Sequence, residues 1–248
     1  MSATAKNLSP VIVALDVNTQ KEVQEWVDRL GGSVDIFKVG LQLFSREGLG
    51  VVSHLIQKKK RVFLDLKLHD IPNTVAQAVR ALARPGIEFL TLHASGGVDM
   101  LEAAAEALRE CKMKDSSIET RLLAVTVLTS LDDQDLREIG VAHTVTGQVL
   151  GLARLAQAAG IDGIVASPQE VQLLRSEHGS KLVLVTPGIR LAEDKTQDQK
   201  RVMTPVQALQ EGSDFLVMGR SLLESAHPEK KLNDLLQEIR SQLQLSSK

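Results

Sequence analysis

Residues 62–74 read VFLDLKLHDIPNT, an apolar run that passes directly into a cluster of charged side chains. The run Val62–Leu64 is typical of a buried strand, and the residues after it indicate a strand that ends in a loop. Because side chains on a strand alternate between its two faces, we expect Asp65 and Lys67 to point the same way. Asp70 adds another carboxylate within reach of the same ammonium group. Buried charges are stable only when paired, so this cluster is either a structural ion network or an active site.

Similar apolar runs recur along the whole chain, with helical-period segments between them. We predict strands at Val11–Leu15, Val34–Val39, Val62–Leu66, Phe89–Leu92, Leu122–Leu128, Gly163–Ala166, Leu182–Val185 and Phe215–Met218. We predict helices at Thr19–Leu30, Phe44–Lys60, Thr74–Ala83, Asp99–Cys111, Thr146–Ala158, Pro168–Glu177, Pro205–Gln210 and Glu229–Leu245. Eight strands alternating with helices predict an α/β fold, a single (β/α)8 TIM barrel with one catalytic domain over residues 1–248. A doubly wound open sheet is the alternative, although no Gly-x-Gly-x-x-Gly motif follows the first strand.

Composition narrows the class of protein. The 248 residues carry a net charge of −2, which argues against the basic face of a nucleic-acid binder. Cys111 is the only cysteine, so an intramolecular disulfide is excluded and a reducing compartment is favoured. No run approaches the roughly 18 apolar residues of a membrane span, and residues 1–10 lack the apolar region of a signal peptide. We therefore expect a cytoplasmic protein that binds neither nucleic acid nor a membrane.

Polar residues stand at the ends of most predicted strands, where a barrel of this type places its chemistry. They are Asp16, Lys38, Asp65, Lys67, Asp70, His93, Thr129, Ser130, Thr186, Gly219 and Arg220. Each alone is also compatible with an ordinary cap or loop, but together they would line one mouth with alternating charges. For His93 we favour a structural hydrogen-bonding role. Ligand spacing with Cys, Asp or Glu is absent at His54, His143, His178 and His227, so no metal site is predicted.

The loops after the seventh and eighth strands are where barrels often bind phosphate. Gly219-Arg220 would open a helix there and offer backbone N–H groups and a guanidinium, although a plain turn is the alternative. Residues 190–201 form a polar stretch with almost nothing to bury. We interpret this stretch as a lid with Arg190 and Gln199 as donors, rather than as a disordered loop.

Taken together, these segments resemble one known family, the orotidine 5′-phosphate decarboxylases. The resemblance covers nearly the whole chain and rests on Val13–Asp16, Phe37–Gly40, Asp65–Thr74, Thr91–Gly97, Val127–Ser130, Val185–Arg190 and Val217–Arg220. The segment Asp65–Thr74 is very specific, and the others are weak alone but strong in this order. The resemblance implies a barrel that works as a homodimer and converts orotidine 5′-phosphate to uridine 5′-phosphate in pyrimidine synthesis. It also implies that no metal or organic cofactor is used.

The resemblance further implies a role for each matching residue. Asp65 and Lys67 would be catalytic. Three residues would reach into the partner subunit's site, namely Asp70, Ile71 and Thr74. The ribose would be held by Asp16 and Lys38, and the pyrimidine would face Thr129 and Ser130. The phosphate would be bound by Arg190, Gln199, Gly219 and Arg220.

The chemistry of decarboxylation agrees with these roles. Loss of CO₂ leaves a carbanion that the pyrimidine ring cannot easily delocalise, and Lys67 can stabilise that charge and then donate a proton. A row of alternating charge over Lys38, Asp65, Lys67 and Asp70 would keep Lys67 charged and aimed. Asp65 could also repel the substrate carboxylate. Two alternatives are a related magnesium-dependent barrel that acts on keto-sugar or hexulose phosphates, and a non-enzymatic sensor of a phosphate ligand.

Overall fold

The structure is a computed structural model that describes residues 9–189 and 203–245. In these ranges the chain forms eight strands: β1 Val11–Ala14, β2 Ile36–Gly40, β3 Arg61–Leu68, β4 Ile87–His93, β5 Arg121–Val125, β6 Gly163–Val165, β7 Val183–Thr186 and β8 Phe215–Met218. The helices are α1 Gln20–Leu30, α2 Leu41–Gln57, α3 Pro72–Leu82, α4 Val98–Lys114, α5 Asp133–Glu138, α6 Val145–Ala158, α7 Pro168–His178, α8 Pro205–Gln210, α9 Arg220–Leu223 and α10 Pro228–Leu245.

The strands form a closed parallel barrel in which neighbours follow the order of the chain. Closure depends on β1 and β8, where Val11 pairs with Leu216 and Val13 pairs with Met218. The predicted (β/α)8 barrel is therefore confirmed, and the open doubly wound sheet is excluded. A parallel barrel brings the C-terminal ends of all eight strands to one rim.

Side chains alternate between the barrel interior and the helix layer, as the strand period requires. Inside the barrel, Phe89 packs edge to face against Phe63 and Phe215, with ring centroids 5.7 Å and 5.3 Å apart. These rings belong to an inner apolar cluster that is distinct from the larger cluster between strands and helices. The aromatic centre fills the barrel, so a ligand can enter only at a rim.

The N-terminal rim of the barrel is occupied by a network of charged side chains. Glu88 at the start of β4 is buried and forms ion pairs with Arg61 and Arg121 from the strands on either side. The Arg121 guanidinium also lies 4.5 Å from the centre of the Phe89 ring. Because a buried carboxylate is tolerated only when it is paired, the two arginines compensate the Glu88 charge at this rim.

The structure corrects several predicted bounds. β5 ends at Val125 rather than Leu128, because its partner β6 ends at Val165 and the chain then turns. The long helix α2 is interrupted at Gly48, whose φ of 57° is not helical. The short helix α5 was not predicted.

Among the described helices, none has both the length and the apolar character needed to cross a bilayer.

Candidate active site

The C-terminal rim surrounds a cavity of about 350 Å³, which is a typical size for a small-molecule site. The predicted site residues that line it are Asp16, Lys38, Asp65, Lys67, Thr129, Ser130, Gly219 and Arg220. The deeper wall is apolar and includes Phe63, Val125, Val165 and Val217. The cavity therefore combines a charged side with an apolar side, a division suited to a ligand that is partly ionic and partly a flat ring.

Strand β3 brings the central charges into this cavity through an irregular pairing with β4. Residues 65–67 of β3 face the single residue Thr91 of β4, between the pairs Leu64–Leu90 and Leu68–Leu92. An insertion of this kind is a β-bulge, which bends a strand and re-aims its side chains. The prediction that Asp65 and Lys67 share a face is confirmed, but by a bulge rather than by simple alternation.

Lys67 has a φ of 53°, in the left-handed region that favours glycine. Its ammonium Nζ donates hydrogen bonds to both carboxylate oxygens of Asp65, at 2.8 Å and 2.9 Å. The left-handed backbone therefore occurs at the same residue, Lys67, whose ammonium group binds both carboxylate oxygens of Asp65 at the cavity wall.

Four charges of alternating sign run along this wall. Lys38 Nζ lies 3.6 Å from Asp16 Oδ1 and 3.6 Å from Asp65 Oδ2, and Asp65 in turn contacts Lys67. The side chains of Lys38 and Asp65 are each only 13% exposed, so solvent screens their interaction weakly. The series begins with Asp16 on the β1 loop and ends with Lys67 on β3.

Asp65 is held as an anion by its neighbours. Burial alone would raise the pKa of its carboxyl group. The charges of Lys38 and Lys67, with hydrogen bonds from Lys67 and Thr91, outweigh burial and lower the pKa below its ordinary value. A carboxylate in this state can orient an ammonium group without taking its proton.

Within its own chain, Asp70 lies outside this row, and its predicted place in the partner subunit's site stays a prediction. Asp70 is exposed, and its carboxylate accepts a hydrogen bond from the backbone N–H of Ile71 at 2.6 Å. Among the ion pairs of the described residues, none joins Asp70 to Lys67, because the chain turns outward after β3 to begin α3. Ile71 and Thr74 are also exposed, and Ile71 is 67% accessible although it is apolar. These three residues lie outside the cavity wall of their own chain.

The phosphate end of the predicted site is described in part. Gly219 is the N-cap of α9, which begins at Arg220, as predicted. A Cβ at Gly219 would lie 3.1 Å from Asp16 Oδ2 and 3.3 Å from the Ala14 Cβ, so this close approach favours glycine. Arg190, Gln199 and the proposed lid over residues 190–201 lie outside the described residues.

His93 ends β4 beside the cavity wall, with its ring centroid 5.5 Å from that of His69. Burial first, and then the charges of His69 and Lys67, lower the pKa of His93, while Asp65 opposes them. The imidazole is therefore kept neutral near physiological pH. Within residues 9–189 and 203–245, no group of three or more His, Cys, Asp or Glu side chains is placed to hold a metal ion.

Two polar residues near the site were missed by sequence reasoning. Ser167 follows β6, lines the cavity and caps α7 by accepting a hydrogen bond from Gln169. Its position before Pro168 is a recognisable helix start, so this residue could have been found. Thr91 is fully buried on β4 and contacts both Asp65 and Lys67. Its role depends on the β-bulge, which no residue pattern in the sequence predicts.

Comparison with known proteins gives a consistent result. The family described as "Orotidine 5'-phosphate decarboxylase / HUMPS family" matches residues 9–235. A protein of Syntrophotalea carbinolica named orotidine 5'-phosphate decarboxylase is 46% identical over 234 residues, covering 94% of this chain and 96% of the relative. A protein of the same name from Actinobacillus pleuropneumoniae is 47% identical over 230 residues, covering 93% of this chain and 98% of the relative.

A solved structure agrees with these relatives. The crystal structure of orotidine 5'-phosphate decarboxylase from Lactobacillus acidophilus superposes with a TM-score of 0.81 at 38% identity, covering 93% of this chain and 98% of that one. The similarity thus extends over the whole barrel rather than over the charged motif alone.

Proposed function

This chain belongs to the orotidine 5'-phosphate decarboxylase / HUMPS family, and we propose that it converts orotidine 5′-phosphate to uridine 5′-phosphate in de novo pyrimidine biosynthesis. It is a decarboxylase, a carbon–carbon lyase. The observation that carries the proposal is the alternating charge series that ends at Lys67, set against the apolar wall of the cavity. The names of the relatives at 46–47% identity favour this substrate over the other members of the family.

In the proposed reaction Lys67 is the proton donor. The bond between the ring carbon and the carboxylate breaks, CO₂ leaves, and the electron pair stays on the ring carbon. The Lys67 ammonium stabilises this developing charge and then gives its proton to the same carbon. Because the cation is a protein side chain, the reaction as proposed uses no metal and no organic cofactor.

Asp65 supports Lys67 in this proposal. Its two oxygens both accept hydrogen bonds from Lys67 Nζ, which limits the directions in which the ammonium can point. The lowered pKa of Asp65 keeps it ionised, so the ammonium stays paired until the substrate displaces that contact. Its negative charge would also repel a substrate carboxylate placed beside it.

The rest of the nucleotide is assigned to the remaining cavity residues. Asp16 and Lys38 would hold the ribose hydroxyls, and Thr129 and Ser130 on the β5 loop would face the pyrimidine. Phosphate binding is proposed for Gly219 and Arg220 at the start of α9, with Arg190 and Gln199. Contacts to a phosphate far from the reacting carbon supply binding energy that can be used at the reacting centre.

We further propose a homodimer with shared active sites, in which Asp70, Ile71 and Thr74 complete the site of the partner subunit. Their exposure at the start of α3, outside the cavity wall of their own chain, leaves all three side chains accessible to a partner subunit and is compatible with this assignment. The lone Cys111, a free thiol, supports a cytoplasmic location. The charge balance supports a small-molecule ligand rather than nucleic acid or a membrane surface.

The decisive experiment follows the absorbance of orotidine 5′-phosphate with purified protein, in EDTA and in magnesium. We expect equal turnover in both buffers and no consumption of keto-sugar phosphates. A requirement for magnesium, or turnover of a keto-sugar phosphate alone, would favour the magnesium-dependent relatives. Binding without turnover would favour a sensor and contradict the proposal.

A further inference from the structure

Thr91 lies opposite the bulge that carries the charged pair. It is the single β4 residue between Leu90 and Leu92, whereas β3 places three residues in the same interval. Its side chain is fully buried, with 0% exposure. The hydroxyl oxygen Oγ1 accepts a hydrogen bond from the backbone N–H of Lys67 at 2.9 Å. The same Oγ1 lies 3.0 Å from Asp65 Oδ1 and donates to it.

The directions of these two hydrogen bonds are fixed by their partners. A backbone N–H can only donate, and an ionised carboxylate can only accept. The Thr91 hydroxyl must therefore accept from Lys67 and donate to Asp65, so one oxygen joins the backbone of one residue to the side chain of the other. These two bonds link both charged residues to β4. The Lys67 ammonium and the Asp65 carboxylate are in addition hydrogen-bonded to each other.

The bulge creates the need for this hydroxyl. An inserted residue loses its regular ladder partner, and an unpaired buried N–H costs free energy. In addition, Lys67 has a left-handed φ of 53°, a conformation that persists only where the surroundings enforce it. Thr91 provides the missing acceptor at the residue where the backbone is strained.

We propose that Thr91 is a positioning residue for the reaction, which holds the Lys67 backbone in its left-handed conformation and fixes the Asp65 carboxylate beside the ammonium. This inference rests on the function proposed above. Thr91 is absent from the cavity lining, so it acts through Lys67 and Asp65 rather than on the substrate. Its loss should consequently affect the chemical step more than substrate binding.

The test compares Thr91→Val, which keeps the shape and removes the hydroxyl, with Thr91→Ser, which keeps the hydroxyl. For Thr91→Val we expect kcat to fall about 100-fold, since a small misplacement of a catalytic group can cost that much, while KM changes little. Thr91→Ser should retain most of the activity. If Thr91→Val does not fold, Thr91→Ala replaces it, because a smaller side chain removes the hydroxyl without a new clash.

Thr120→Val is the matched control. Thr120 is also a fully buried threonine, and its hydroxyl donates to the Ile87 carbonyl at 2.8 Å near the opposite rim of the barrel. This control should lower the thermal unfolding temperature much as Thr91→Val does and leave kcat unchanged. Such a result would separate positioning from stability.

Three outcomes would overturn the inference while wild type remains an active decarboxylase. They are a wild-type kcat in Thr91→Val, equal losses in the Val and Ser variants, and a loss in KM alone. A wild-type protein that does not decarboxylate orotidine 5′-phosphate would overturn the proposed function, and the inference with it. The wild-type assay therefore distinguishes the two failures.

Discussion

At the scale of single residues, Lys67 combines a strained backbone with the side chain that is proposed as the proton donor. A non-glycine residue in the left-handed region costs about 1–3 kcal/mol, and evolution keeps such a residue only where its side chain or neighbours compensate. Here the compensation is visible in the contacts to Asp65 and Thr91. Backbone strain at this position is expected if the site must hold one ammonium group in a fixed direction.

Lys67→Ala should abolish nearly all turnover while the protein stays folded. Removal of a general acid alone typically costs about 10²–10⁴-fold, and loss of the nearby positive charge adds to that. Steady-state turnover and circular dichroism measure the two parts of the prediction.

The control for this variant is Lys59→Ala. Lys59 is the other described lysine with a left-handed backbone, at a φ of 59°, and it lies after α2, away from the cavity. It shares the backbone conformation of Lys67 but not its site, so its activity should equal that of wild type. A Lys67→Ala enzyme within tenfold of wild type would remove Lys67 from the role of proton donor.

The sequence could predict the identity of these residues but not their exact setting. Residues i and i+2 share a face on any strand, so the pairing of Asp65 with Lys67 is readable. The bulge could not be predicted from the sequence, because no glycine marks it and the hydroxyl that supports it belongs to Thr91, 24 residues after Lys67 and on β4. The outward position of Asp70 could be expected from its place past the strand end, whereas its contact with a partner subunit stays a prediction.

At the scale of elements, three strands of the barrel, β2, β6 and β8, begin with the same kind of hydrogen bond. The aspartate directly before each of these strands accepts a hydrogen bond from a backbone N–H of the preceding strand or of the residues that lead into it. Asp162 accepts from Leu122 at 2.7 Å, Asp214 from Leu184 at 2.8 Å, and Asp35 from Ser9 at 2.9 Å. These carboxylates cap strand starts in the way that polar residues cap helices.

Each of these aspartates follows a short Gly-containing segment in the sequence, and this pattern could have sharpened the predicted strand starts. The same is true of α5, whose N-cap Asp132 and third residue Asp135 form a reciprocal capping box. Such a box is a recognisable start signal. The rest of the helix gives a weak signal, because α5 has only six residues and little apolar periodicity.

The close packing around strand β6 leads to a prediction about the stability of the barrel. It contains only three residues, and a Cβ at Gly163 would lie 2.4 Å from the Val183 carbonyl oxygen and 2.8 Å from Leu123 Cδ2. Gly163→Ala should therefore destabilise the barrel by about 1–3 kcal/mol, as expected for overpacking. Thermal unfolding followed by circular dichroism would show a lower Tm.

Gly151→Ala is the matched control for that variant. Gly151 lies within helix α6, and an added Cβ would meet nothing within 4 Å. Because alanine is favoured over glycine inside a helix, this change should stabilise the protein by about 0.5–1 kcal/mol. Opposite shifts in Tm would confirm that packing at β6 is the cause, whereas a stable Gly163→Ala would mean that β7 can move aside.

At the scale of the whole molecule, the barrel could be predicted from the residues, whereas the proposed homodimer rests mainly on the family resemblance. Eight apolar runs separated by helices specify a parallel barrel, and its closure joins Val11 to Leu216, two residues at opposite ends of the sequence. No comparable pattern in the residues specifies a second subunit. The exposed Ile71 gives only a local hint, since single exposed apolar residues are common on monomers.

The shared site can be tested by mixing inactive Lys67→Ala and Asp70→Ala dimers under conditions that allow subunit exchange. In a two-fold dimer, a mixed pair holds one site with both lesions and one site with neither. With free exchange, half of the dimers are mixed, so about a quarter of all sites should be intact by this symmetry count.

Activity should therefore rise from near zero toward that fraction as exchange proceeds. Exchange itself is followed by mass spectrometry of isotope-labelled subunits, and a mixture of labelled and unlabelled Lys67→Ala dimers serves as the control that must remain inactive. The position of Asp70 outside its own cavity wall makes this outcome the expected one. If verified exchange restores no activity, Lys67 and Asp70 serve the same chain, and the outward turn after β3 must fold back toward the cavity when substrate binds.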